Sequence, residues 1–153
     1  MPRKRKRREG GEAEAEGPGD GGGPSGSLGQ RLVRARSGGE VLRLARALRA
    51  PEHGPLLGHA LHCLAKLRPG RGGGGGVGSA DWEQLLRELA KSGDALSGRD
   101  VSKALWALSK LGSPCPELLG ALQRRAIAIA GRFDARGVAN ALWSFAALGH
   151  RPT

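Results

Sequence analysis

The chain has 153 residues, a net charge of +11, 39% hydrophobic and only 3% aromatic content. That length holds one domain at most, and no apolar run approaches the ~20 residues of a membrane-spanning helix, so no membrane partner is expected. Cys63 and Cys115 stand singly and fit neither a metal-binding nor a redox spacing, which points to a reducing compartment.

Taken in order, residues 1–8 carry six basic side chains, residues 9–20 carry five acidic ones, and residues 21–30 are rich in Gly, Ser and Pro. Such a segment has no apolar face whose burial could offset its ordering entropy. Residues 1–37 are therefore expected to be a disordered tail, and residues 38–153 a helical domain interrupted by a Gly-rich insertion over 69–79. Gly73, Gly75 and Gly78 match the spacing of a dinucleotide-binding loop, but no strand precedes them, and the stretch reads as a linker.

The spacing of Val41, Leu42, Leu44, Ala45 and Leu48 predicts a helix over 40–48, and residues 60–67 predict a second. A third opens at a capped start around Asp81 and buries Trp82, Leu85, Leu86 and Leu89. Ser97 and Asp100 form an N-terminal capping pattern for a fourth, which Gly112 closes. Pro116 sits near the start of a fifth, followed by Leu118, Leu119, Leu122, Ala126, Ile127 and Ile129. Asp134 caps a sixth, with Gly149 at its end.

The fourth and sixth helices are two copies of one pattern. Residues 99–112 and 136–149 align without a gap and share seven identities, among them Trp106/Trp143, at an offset of 37 residues. Residues 60–67 align as a third, degraded copy with His62 in the tryptophan position, the longer offset being absorbed by the Gly-rich insertion. A fixed period of this size predicts stacked units. The expected fold is all-α, an armadillo-like α-solenoid of about three helical hairpins. Pro152 resembles the opening of another unit, so the chain reads as a fragment of a longer array.

Two sets of residues recur at equivalent positions. Val101, Leu105, Trp106, Leu111, Val138, Leu142, Trp143 and Leu148 are expected to form the structural repeat core. An exposed indole could instead stack on a base, but recurrence beside the apolar stripe favours packing between units. Arg99/Arg136, Lys103/Asn140 and Lys110/Ala147 should point in matching directions along the array. A superhelix that presents one or two polar side chains per unit can read one base per unit. The folded part is basic in its own right: residues 31–68 carry eight basic against two acidic side chains. That favours a polyanionic partner, although a GC-rich coding sequence also produces arginine and glycine. His53, His59, His62 and Cys63 do not complete a zinc set, so neither metal nor cofactor is expected. No nucleophile–base arrangement is legible, and the chain is read as a non-enzyme.

The pattern of residues 134–149 resembles the octotricopeptide repeats of algal organelle proteins. It is similar also to the leucine-rich helical repeats of FAST-kinase-type mitochondrial RNA-binding proteins and of RNA-editing substrate-binding complex proteins. The resemblance implies an α-solenoid that binds single-stranded organellar RNA without catalysis, in RNA processing, mRNA stability or translation, alongside other RNA-processing proteins. Its RNA-binding residues would be Arg99, Lys103, Lys110, Arg136 and Asn140. The implied location is the mitochondrial matrix or the chloroplast; the basic N-terminal cluster suggests the nucleus as the alternative. The competing function is a protein-interaction scaffold of the armadillo or tetratricopeptide kind.

Overall fold

A computed structural model describes residues 27–67 and 78–151. The expected disordered tail before residue 27 and most of the Gly-rich insertion lie outside the described residues. The described residues form seven helices and no strand: α1 (Leu28–Arg34), α2 (Gly38–Ala45), α3 (Gly54–Lys66), α4 (Ala80–Lys91), α5 (Gly98–Leu111), α6 (Pro116–Ala128) and α7 (Ala135–Ala147). Short 3-10 turns at Gly93–Ala95 and Ala130–Arg132 join α4 to α5 and α6 to α7. The fold is all-α.

The first helix corrects the tail boundary. Ser27 caps α1 by accepting from the Gln30 N–H, and Leu32 and Ala35 are buried against the domain. Leu28, Leu32 and Ala35 follow i, i+4, i+7 spacing, enough to seat one short amphipathic helix on α2 and α3. Ser37 starts α2, and Ser79 rather than Asp81 caps α4. Asp81 is instead engaged by Arg46 at 2.7 Å through both carboxylate oxygens, tying α4 to the end of α2.

The helices pack in two series. In one, α3 lies on α5 and α5 on α7; in the other, α2 lies on α4 and α4 on α6. The 37-residue offset of the sequence is visible in the backbone. Ser97 and Asp134 both sit near φ −78°, ψ 166° and cap α5 and α7. Gly112 and Gly149 close those helices at φ 61° and 67°, a left-handed conformation that costs glycine no Cβ clash. Beyond each glycine the closing hydrogen bond repeats as well, Ser113 N–H to Leu108 O at 3.2 Å and His150 N–H to Phe145 O at 2.9 Å.

The core runs along the junction of the two series. Val101, Ala104, Leu105, Ala107 and Leu108 of α5 are completely buried, as are Leu57, Ala60 and Leu61 of α3. The α7 copy departs from the expected core: Val138 is 43% and Leu142 62% exposed. Their counterparts Val101 and Leu105 belong to a helix on which another packs, whereas no described helix follows α7. Leu111 and Leu148 are half-buried against the core. Ile127 is 62% exposed near the end of α6.

Candidate nucleic-acid interface

The residues that matter for binding lie on the series α3, α5 and α7. Positions spaced by four, three and four residues along a helix share one face. On α5 that stripe is Arg99, Lys103, Trp106 and Lys110; 37 residues on, α7 presents Arg136, Asn140, Trp143 and Ala147. On α3 the matching positions include His59, His62 and Lys66.

The structure joins these stripes into one surface. A groove of about 570 Å³ is lined by His62 of α3, Arg99 and Lys103 of α5, Arg136 and Asn140 of α7, and Arg132 of the turn before α7. Gly98, Phe133 and Gly137 also line it; a Cβ on Gly137 would come within 2.9 Å of the Asp134 carboxylate and 3.1 Å of the Phe133 ring. Asp134 is at the groove's edge, where its carboxylate accepts the Gly137 N–H at 2.6 Å as the cap of α7.

Beside the groove the rings form a row. The His62 and Trp106 centroids lie 5.1 Å apart with planes tilted by 45°. The Lys110 ammonium sits 5.8 Å from the Trp106 centroid and 5.4 Å from that of Trp143, within the range of a cation–π contact. Trp106 is half-buried and packs against the core, as expected of the repeat core, while sharing the stripe of Arg99 and Lys103. Trp143 differs from its expected place: it is 52% exposed, on the stripe of Arg136 and Asn140.

The electrostatics follow from burial first and from this crowding of one sign second. Burial, then Lys103 and Lys66, holds the His59 imidazole below its ordinary range. His62 is lowered by burial first and then by Lys66, Lys103 and His59. His59 Nε2 lies 3.7 Å from Cys63 Sγ, whose thiol is pushed up by burial. Both histidines are therefore favoured in the neutral form. Such a face repels cations and can take an extended polyanion with flat groups between its charges.

Of the five polar residues named from the sequence, Arg99, Lys103, Arg136 and Asn140 line the one groove, and Lys110 stands over the two indoles outside its lining. Sequence reasoning missed His59 and His62 as part of this face, although His62 in the tryptophan position was the available signal. It also missed Arg132, which replaces Ala95 of the preceding unit and so carries no repeat signature. Among the described residues, no helix is long and apolar enough to cross a membrane. Compared with protein-family models, curated proteins and solved structures, the chain matches none significantly.

Proposed function

We propose that the protein is a non-catalytic single-stranded RNA-binding repeat protein, its helical units stacked as a short α-solenoid and its α3–α5–α7 face carrying the RNA. The observation that carries this reading is the composition of that face. His59, His62, Lys66, Arg99, Lys103, Trp106, Lys110, Arg136, Asn140 and Trp143 bring five cations and four rings to one surface, and the one carboxylate lining the groove, Asp134, is engaged as the cap of α7. Cations that follow a phosphate backbone, interleaved with rings that accept bases, are the physical requirements for holding a single strand. The likeness of residues 134–149 to octotricopeptide-type repeats supports an organellar role in RNA processing, stability or translation, in the mitochondrion or chloroplast.

A second reading has one observation in its favour. Val138 and Leu142, exposed on α7, and Ile127 on α6 offer apolar surface suited to another helix, as a protein-interaction scaffold would. The two readings part on salt. Anisotropy titrations of the full chain with labelled single-stranded RNA are expected to give an affinity that falls steeply with ionic strength, by about −0.7 in log–log slope per phosphate neutralised. Arg99→Ala and Arg136→Ala should each flatten that slope by about one such contact. Absent or salt-insensitive RNA binding would sink the reading and leave the scaffold.

A further inference from the structure

We propose that the indole of Trp143 is a stacking site for one unpaired base of a single-stranded RNA, an inference that rests on the RNA-binding reading of this face. The observations concern the ring row and how unequally it is covered. His62, Trp106 and Trp143 occupy the same position in successive units, yet each meets different neighbours. Trp106 is flanked by the His62 ring at 5.1 Å and by the Lys110 ammonium at 5.8 Å. Trp143 has the same ammonium 5.4 Å from its centroid and is 52% exposed. Trp82, by contrast, is 2% exposed and belongs to the core.

Trp143 therefore offers an open aromatic place on this face, against which a flat group can lie. A nucleobase is flat, has a π-face whatever its identity, and fills such a place without needing a matched hydrogen bond. The charges around Trp143 decide between a base and an apolar protein segment. Its stripe carries Arg136 and Asn140, and Lys110 lies over the ring, all suited to a phosphate-bearing ligand. The exposed aliphatic side chains Val138 and Leu142 fall at other positions of α7. Lys110 has a double part: it holds the indole through a cation–π contact, and its charge lies close to where a stacked nucleotide brings its phosphate. A single exposed indole predicts one stacked base, with purines held more firmly than pyrimidines because they offer more ring surface.

The test uses the full chain and a fluorescein-labelled single-stranded oligoadenylate. Trp143→Leu keeps an apolar side chain but removes the ring, and should weaken binding about tenfold. Stacking neutralises no phosphate, so the salt dependence should keep its slope. Trp143→Phe should retain affinity within about threefold. In a Trp106→Phe background, emission from Trp143 should be quenched by the oligonucleotide, while Trp82 stays shielded. An unchanged affinity in Trp143→Leu, together with unquenched emission, would overturn the stacking site and leave the RNA on the arginines and lysines alone. A Trp143→Leu chain that keeps its RNA affinity but loses self-association would assign the ring to a protein contact and equally overturn it. A wild-type chain that binds no oligoadenylate would remove the RNA-binding reading itself, and the base site with it.

Discussion

The imidazole of His62 on α3 lies 5.1 Å from the indole of Trp106 on α5, ring against ring at the same position of two successive units. That contact places an imidazole, held below its ordinary range by burial and then by Lys66 and Lys103, inside a field of lysines.

Burial and the neighbouring Lys66 and Lys103 lower both His59 and His62 from the ordinary value of 6.5. The unfolded chain then binds more protons than the folded one near that value, so stability is fully present above it and declines as pH falls through it. If the face holds RNA as proposed, the phosphates should offset the lysine field and raise both histidines, so affinity should increase about three- to tenfold as pH falls from about 7 to about 5.5. Paired titrations of wild type and the His59→Gln/His62→Gln double variant check this. A rise that persists in the double variant would place the titrating group elsewhere.

Leu105 and Leu142 are equivalent by sequence and opposite in surroundings, at 0% and 62% exposure. Leu105→Ala is expected to cost about 2–5 kcal/mol through lost burial and the cavity it leaves. Leu142→Ala should change stability by no more than about 0.5 kcal/mol. Urea unfolding of the two variants is the check, and equal losses would mean that α7 is covered by something in solution.

Ser144 is completely buried and its hydroxyl has no hydrogen-bond partner, whereas the preceding unit has Ala107 at the same position. Leaving a buried hydroxyl unpaired costs about 1–3 kcal/mol. Ser144→Ala should therefore raise the melting temperature by several degrees, as about 1 kcal/mol does in a domain of this size. A lower melting temperature would show that the hydroxyl is engaged.

Much of the frame was legible because it is local. Ser97 with Asp100, Asp134, Gly112 and Gly149 act on their own backbones, and all four helix ends stand where their chemistry puts them. The 37-residue offset was legible as identity, and it reappears in caps, turns and closing hydrogen bonds. Burial was less legible, because it depends on what lies across from a residue. Val138 and Leu142 carry the same letters as a core but have no described helix over them. Trp143 looks like core by residue type, yet it stands exposed beside Lys110, whereas its counterpart Trp106 packs against the core. Helix α1 was hidden by its Gly/Ser-rich approach, its whole signal being Leu28, Leu32 and Ala35. The groove residues were legible as matching positions; the place of Arg132 beside them depends on the turn that precedes α7.

The central claim is that the α3–α5–α7 face, and not net charge alone, holds single-stranded RNA. The most direct measurement compares two charge-reversal triples of the full chain by RNA anisotropy at one salt concentration. One is Arg99→Glu/Lys103→Glu/Arg136→Glu on the groove; the other is Arg31→Glu/Arg34→Glu/Arg43→Glu on α1 and α2, which changes the net charge equally. The groove triple should abolish measurable binding, while the α1–α2 triple should weaken it by no more than about fivefold, a long-range effect that salt removes. Equal losses in the two triples, or a loss confined to the α1–α2 triple, would contradict the assignment of RNA to this face.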